Sequence, residues 1–224
     1  MLTKALTIID ELLPLCRCDY GPTAADVQRA YCYRQLHFVQ FLARESVPLL
    51  SQPGGYAAAI VSRSIVESLL RMGAAAESEE TCLRILFTDA SEDSKRSRFF
   101  REVYPEPGDK WDKLIDGYEG EMRALSTLTP TKLKSIDLWG ATPPGGLRNL
   151  YRSTYHVLSQ VAHGKYTIID QCLKGRRLAG DREMTIVLFV CLAGIVASEL
   201  FEVGDGDFVR RLNECHPDLK RKKG

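Results

Sequence analysis

Residues 147–164, with the sequence LRNLYRSTYHVLSQVAHG, carry acid–base and cationic side chains at helical spacing. Residues four positions apart lie on one side of a helix. The side chains that could do chemistry fall into two neighbouring rows: Tyr155, Ser159 and His163 in one, and Arg148, Arg152 and His156 in the other. The positions predicted to be buried form the arc beside them: Leu147, Leu150, Tyr151, Thr154, Leu158, Val161 and Ala162. The polar rows therefore border a core face, where a site can form.

The chemistry that this segment could perform is acid–base catalysis without a metal. His163 directly precedes Gly164, is expected at a helix C-terminus, and could be a general acid or base near neutral pH. Arg152 could hold a phosphate oxygen through paired hydrogen bonds. In RNA cleavage the nucleophile is the 2′-hydroxyl of the substrate, so a serine nucleophile is not needed. Ser159 on a regular helix also lacks the strained turn that exposes nucleophilic serines.

A second polar pair, Arg63 and Glu67, lies in the apolar sector of an earlier helix. Removing two charges from water costs several kcal/mol per ion, so such a pair needs further hydrogen bonds. Two interpretations stay open. The pair is a structural clamp, or it faces the polar rows, with Arg63 beside Ser159 and His163 and with Glu67 orienting an imidazole or hydroxyl.

Helices must position these residues, because apolar positions recur with helical period and no alternating strand pair is joined by a tight turn. We therefore predict an all-α bundle. The predicted helices are 2–13, a long helix from Thr23 to near Pro48, 56–76, 78–88, one opened by Ser91, 109–126, 147–164, 166–173, 184–198 and 208–215. Breaks are predicted at 51–55 and around Pro105 and Pro107, and a basic tail at 220–223.

The apolar run from Met184 to Ser198 is bounded by charged residues and is shorter than the roughly 20 residues that cross a bilayer. It is apolar on all sides, which is typical of a central helix surrounded by others. We predict one helical domain over residues 1–224, built around this helix. The more polar stretch 89–146 is expected to be an insertion or lid.

Composition excludes several classes of function. Lys and Arg total 30 against 29 Asp and Glu, so only a local patch could attract nucleic acid. Seven scattered cysteines and no cationic leader favour a cytoplasmic protein with reduced thiols. No metal-ligand spacing and no glycine-rich phosphate loop is present, so neither a metal nor a cofactor is expected.

The arrangement of motifs resembles an uncharacterised bacterial family of helical proteins that carries a domain of unknown function. The residues that carry the resemblance are an R-x3-E pair, a loop tryptophan and a Y-x3-Y-x3-S-x3-H row: Arg63, Glu67, Trp139, Tyr151, Tyr155, Ser159 and His163. It covers roughly residues 30–203 and implies an all-α bundle. More distantly, the chain resembles the HEPN superfamily of helical bundles, many of which are metal-independent ribonucleases in toxin and phage-defence systems.

The HEPN resemblance implies an RNA-directed protein of bacterial stress or phage defence, of endoribonuclease type. The HEPN motif joins an arginine and a histidine through a longer spacer than the three residues between Arg152 and His156. The residues expected to carry catalysis are His163, Arg63, Glu67, Ser159 and Arg152. The alternative is a non-enzymatic interaction or oligomerisation module in which the same side chains are a clamp. Expected partners are RNA, an antitoxin or other protein, or a second copy in a homodimer, and no membrane.

Overall fold

The computed structural model describes residues 1–51, 55–104, 109–174, 176 and 181–220. Over these ranges the chain is all-α, as predicted, and contains no strand. The helices are α1 (Leu2–Leu12), α2 (Ala24–Leu50), α3 (Tyr56–Glu77), α4 (Glu79–Val103), α5 (Lys110–Thr127), α6 (Leu138–Ala141), α7 (Gly146–Leu150), α8 (His156–Ala162), α9 (Tyr166–Leu173), α10 (Arg182–Leu200), α11 (Asp207–Asn213) and α12 (Pro217–Lys220). Residues 52–54 of the break predicted at 51–55, the break around Pro105 and Pro107, and residues 221–223 of the predicted tail lie outside the described residues.

The start of α2 follows from local sequence alone. The Thr23 side chain accepts from the Asp26 backbone N–H, and the Asp26 carboxylate accepts from the backbone N–H of Thr23 at 3.2 Å. This reciprocal pair satisfies two N–H groups that a helix N-terminus leaves free. At the other end, Pro48 lies inside α2, which ends at Leu50.

The structure corrects one predicted boundary. Ser91 does not open a new helix, because α4 runs without a break from Glu79 to Val103 and is capped by Ser78. A serine followed by acidic residues also occurs on exposed faces of continuous helices, so the local pattern is ambiguous. Packing against α5 extends the helix through this polar stretch, with ion pairs from Arg98 to Glu119 and from Arg101 to Asp112.

The centre of the bundle is α10, which packs against α1, α2, α3 and α11. Ile186, Phe189 and Val190 on this helix are fully buried. Among the described residues, α10 is the one helix whose length and hydropathy are sufficient to cross a membrane, and half of its most apolar stretch is buried inside the bundle. A separate small cluster of Val27, Leu83, Leu125 and Leu133 lies where α5 and the following loop meet α2 and α4.

The helix predicted over 147–164 is present, with a wider turn in its middle. Residues Tyr151–Tyr155 form a π-helical turn between α7 and α8, closed by the bond from the His156 backbone N–H to the Tyr151 carbonyl. Backbone angles stay right-handed helical at both joints, so the segment is one continuous helix from Gly146 to Ala162. It packs against α3, and it places Leu147 beside Gly73 and Tyr155 beside Arg63. The two helices therefore run antiparallel.

Candidate functional site

The predicted pair on α3 is present and is bound by the continuous helix. Nη1 of Arg63 lies 3.2 Å from Oε2 of Glu67, and Nη2 donates to the Tyr155 hydroxyl over 3.1 Å. The guanidinium also lies over the Tyr155 ring, 5.3 Å from its centroid. The Arg63 and Glu67 side chains remain 24% and 27% exposed, so the pair is half-buried at the edge of the core. Arg63 thus ties α3 to the π-helical turn.

Glu67 has a second cationic neighbour, which extends the pair into a row. Nε of Arg71 lies 3.7 Å from Oε1 of Glu67. Nη1 of Arg71 donates to both carboxylate oxygens of Asp89 on α4, over 2.9 and 2.8 Å. We call Arg63, Glu67, Arg71 and Asp89 the α3 polar chain. It alternates in charge, joins α3 to α4, and is bound to the π-helical turn through Arg63 and Tyr155.

Burial and charge shift the titration of groups along this chain. Burial and the Glu67 carboxylate raise the pKa of Tyr155 and outweigh the opposing effect of Arg63, so its hydroxyl stays neutral. Burial alone would lower the pKa of Arg71, but the hydrogen bond and charge of Asp89, with Tyr31, raise it overall. Arg71 therefore keeps its charge at neutral pH, and Tyr155 stays neutral beside it.

Three aromatic rings and two further arginines continue from Tyr155 toward solvent. The Tyr155 and Tyr151 rings lie 4.9 Å apart, and the Tyr151 and Trp139 rings 5.2 Å apart. The guanidinium carbons of Arg148 and Arg152 each lie 4.9 Å from the centre of the Trp139 ring. We call Trp139, Tyr151, Arg148 and Arg152 the tryptophan cluster. Stacked arginines keep their hydrogen-bonding edges directed outward in a fixed orientation.

The arginines of the tryptophan cluster differ in their burial. Arg152 is exposed, whereas Arg148 is half-buried and donates to the Thr142 carbonyl over 2.6 Å. The Nε of Arg148 is buried and has no hydrogen-bond partner among the described residues. Neither guanidinium has a carboxylate partner in the described part of the chain. The exposed guanidinium of Arg152 is thus free to meet an anion.

The five predicted catalytic residues lie on two helices, with Arg63 and Glu67 on α3 and the other three on the segment from Arg152 to His163. Arg63 and Glu67 are joined to each other, whereas Arg152 and His163 are exposed on the continuous helix. Ser159 is half-buried between them. His163 follows the last residue of α8, eight residues after Tyr155, which separates it by about 12 Å along the axis from the point where Arg63 binds. No hydrogen bond or ion pair among the described residues joins Arg63 to His163.

The expected meeting of Arg63 and His163 across an interior cleft is therefore not present. The reason is geometric, because the antiparallel contact with α3 brings Arg63 to Tyr155, two turns before His163. His163 instead shares an exposed face with His156, seven residues earlier. The Gln160 amide donates to Nε2 of His156 over 3.0 Å when that ring carries its proton on Nδ1.

Arg71 and Asp89 were missed in the sequence, although one signal could have indicated Arg71. It follows Glu67 by four residues, as Glu67 follows Arg63, so the spacing alone predicts a second pair. Asp89 carries no such signal, because its pairing depends on how α4 packs against α3. Tyr31 on α2 was missed for the same reason, and its buried hydroxyl lies near Arg71.

Within the described ranges, no group of three His, Cys, Asp or Glu side chains is arranged to hold a metal ion. A cavity of about 20 Å³ lies beside Arg71, Thr88 and Asp89 and has room for one water molecule. No family model, no curated protein and no solved structure matches this chain.

Proposed function

We propose that this protein is RNA-directed and that RNA binds to residues 146–176, which we call the basic segment. The observation that carries the proposal is the charge of this segment. It holds five basic residues and one acidic residue, within a chain of net charge +1. The acidic residue, Asp170, is already bound to Lys174 at 2.8 Å. The basic segment is therefore the local patch that an overall neutral protein needs to attract a polyanion.

The tryptophan cluster favours RNA over a small anion as the ligand of the basic segment. Arg152 is exposed and its guanidinium lies over the Trp139 ring, so it can contact a phosphate through two parallel hydrogen bonds. Aromatic rings and arginine planes beside a cationic surface are the features on which single-stranded bases stack. A small anion would use the charge but not the rings.

The basic segment also contains the groups that metal-free RNA cleavage needs. His156 and His163 lie on one exposed face, and Arg152 lies one turn before His156. One imidazole would remove the proton of the 2′-hydroxyl, whose oxygen attacks the adjacent phosphorus and expels the 5′-oxygen. That oxygen takes a proton from a general acid, while Arg152 stabilises the charge on the phosphate. This is an endoribonuclease reaction of the HEPN-like type, without Arg63 as a participant.

Binding is tested by fluorescence anisotropy of the full chain with a single-stranded RNA oligonucleotide at about 50 and 200 mM salt. Arg152→Gln should weaken binding several-fold and lower the slope of log affinity against log salt by about 1. Arg210→Gln is the matched control, because Arg210 is exposed but already paired with Asp207 and Glu214. The proposal fails if the wild type does not bind RNA at low salt, or if both variants lose affinity equally.

Cleavage is tested by gel analysis of the same RNA in the presence of a chelator. His156→Ala and His163→Ala should each lower the rate by at least tenfold if that imidazole moves a proton, with unchanged melting temperature because both rings are exposed. Cleavage that disappears with the chelator would contradict a metal-free reaction. Binding without cleavage would show that the protein binds RNA and would overturn the proposed catalytic step.

A second candidate function is a non-enzymatic interaction module, and the α3 polar chain favours it. Each of its charged groups is bound by another side chain of the same protein, which is what a clamp requires. Arg63→Ala should then lower the melting temperature and leave the RNA affinity of the folded protein unchanged. If Arg63→Ala instead abolishes RNA cleavage at an unchanged melting temperature, Arg63 belongs to a catalytic site and is not a clamp.

A further inference from the structure

We propose that α2 is the interface of a homodimer, in which it packs antiparallel against α2 of a second copy across a two-fold axis. The surface involved consists of Arg34, Phe38, Phe41 and Glu45, which we call the α2 stripe. This proposal does not depend on the RNA proposal, because the α2 stripe belongs to an element outside the basic segment.

The α2 stripe has the spacing of a helix–helix seam. Its residues follow one another at intervals of four, three and four, which places all of them within a sector about 60° wide. The alternation of four and three is the spacing by which one helix packs along another. Phe38 and Phe41 are 46% and 49% exposed, and their rings stack on each other at 6.5 Å. Both rings thus present apolar surface to solvent on a helix whose opposite side is packed into the bundle.

The charges at the two ends of the α2 stripe identify a second copy as its partner. Arg34 lies four residues before Phe38, and Glu45 lies four residues after Phe41. Each charge is therefore about 8 Å along the axis from the midpoint between the phenylalanines. Two such helices related by a two-fold axis through that midpoint place Phe38 against Phe41 of the partner. The same operation places Arg34 opposite Glu45 of the partner, so the surface is self-complementary.

Neither Arg34 nor Glu45 is bound by an opposite charge of its own chain within the described residues, so both can pair with a second copy. Glu45 is exposed and has no ion-pair partner in the described part of its own chain. Arg34 is exposed and stacks over the Tyr20 ring at 4.3 Å, a contact that leaves the edge of its guanidinium able to donate. The neighbouring Arg44 differs, because it is already bound to Asp10 at 2.5 Å. The free charges on this face are thus one of each sign.

Other arrangements fit less well. A parallel pair of α2 helices would place Arg34 against Arg34 and Glu45 against Glu45, which is repulsive at both ends. An acidic peptide would be attracted by Arg34 and His37 but repelled by Glu45 at the opposite end. One stripe of four residues is smaller than the roughly 800 Å² per partner of a standard stable interface. The expected dimer is therefore weak, with a dissociation constant in the micromolar range or above.

Sedimentation equilibrium of the full chain over a micromolar to high micromolar series tests the proposal. Wild type should show a reversible monomer–dimer equilibrium. Arg34→Glu and Glu45→Arg should each weaken dimerisation by tenfold or more, because each places like charges across both ends. The double variant should restore the wild-type constant. Only the antiparallel arrangement predicts this recovery, since parallel helices would repel equally in all four proteins.

The apolar part of the α2 stripe is tested with the double variant Phe38→Ser/Phe41→Ser, which should be monomeric. Its melting temperature should be unchanged, because both rings are already half exposed. Phe99→Ser is the control, since Phe99 on α4 is 56% exposed but lies outside the α2 stripe. A wild-type protein that stays monomeric throughout the series overturns the proposal. A dimer that is insensitive to these substitutions also overturns it, because its interface would lie elsewhere. RNA affinity measured on the same variants separates this outcome from failure of the RNA proposal.

Discussion

Arg71 is the residue in the α3 polar chain whose partners matter most for stability. It is bound on one side by Glu67 and on the other by both oxygens of Asp89. Hydrogen bonds between a guanidinium and a carboxylate are shorter and stronger than those between neutral groups. Because Arg71 is largely removed from water, loss of its carboxylate partner leaves a charge that solvent cannot fully compensate.

Asp89→Asn is therefore expected to lower the free energy of unfolding by about 2 kcal/mol, measured by urea denaturation. The matched control is Asp93→Asn on the same helix, whose exposed pair with Arg96 should contribute less than about 0.5 kcal/mol. Equal losses of unfolding free energy in the two variants would show that the Arg71–Asp89 pair stabilises the protein no more than an exposed pair does.

Asp26 makes the stability of the α2 N-terminus depend on pH. Its hydrogen bonds with the side chain and backbone of Thr23 lower the pKa of its carboxyl below the ordinary value. A lowered pKa in the folded state means that this stabilisation is present above the unfolded-state pKa and is lost as the pH falls through the folded-state pKa.

The unfolding free energy of wild type should thus decrease between about pH 5 and pH 3 more steeply than that of Asp26→Asn. Asp19→Asn, which removes an exposed carboxylate from the preceding turn, should keep the wild-type slope. A wild-type slope in Asp26→Asn, measured by chemical denaturation at several pH values, would contradict this assignment.

At the scale of elements, the close contact between α3 and α7 depends on a residue without a side chain. A methyl group added at Gly73 would overlap Cδ1 of Leu147. The π-helical turn lies in the same continuous helix and contains Tyr155, which binds Arg63. π-helical turns occur frequently at functional sites. This turn joins the α3 polar chain to the tryptophan cluster, so its position agrees with the proposed role of the basic segment.

Replacing glycine with alanine should change the stability of the protein in opposite directions at Gly117 on α5 and at Gly73 on α3. Gly117→Ala on α5 adds a methyl group to open space, so it should stabilise the protein by about 1 kcal/mol through helix propensity. Gly73→Ala gains the same propensity but forces Leu147 to move, at a cost of about 1–3 kcal/mol, and should be destabilising overall. The double variant with Leu147→Ala should show a favourable coupling energy in thermal denaturation. Stabilisation by Gly73→Ala alone would mean that Leu147 repacks freely.

At the scale of the whole molecule, the described residues form two apolar regions of unequal size. The main core surrounds α10 and includes residues from α1, α2, α3 and α11. The smaller cluster is held by only four buried side chains, and α5 buries only Ile115 and Leu125. Segments with few buried apolar contacts open at lower free energy than the core. The α5 helix is therefore the part expected to open locally.

Hydrogen–deuterium exchange followed by mass spectrometry should show this difference. Peptides from α10 should be the most protected, with opening free energies close to that of global unfolding. Peptides from α5 should exchange earlier under the same conditions. Leu125→Ala should accelerate exchange in α5 while leaving α10 unaffected, and equal acceleration of both would indicate a single cooperative unit.

The amino-acid sequence by itself determined the all-α class, the capping box at Thr23, the central position of α10 and the pair of Arg63 with Glu67. Each of these depends on helical period, end signals or residues one turn apart, which are local properties. The unbroken α4, the bond from Arg63 to Tyr155, the pairing of Arg71 with Asp89 and the separation of Arg63 from His163 were decided only by the tertiary structure. They depend on which helices pack together and in what register, and that choice balances burial over the whole chain.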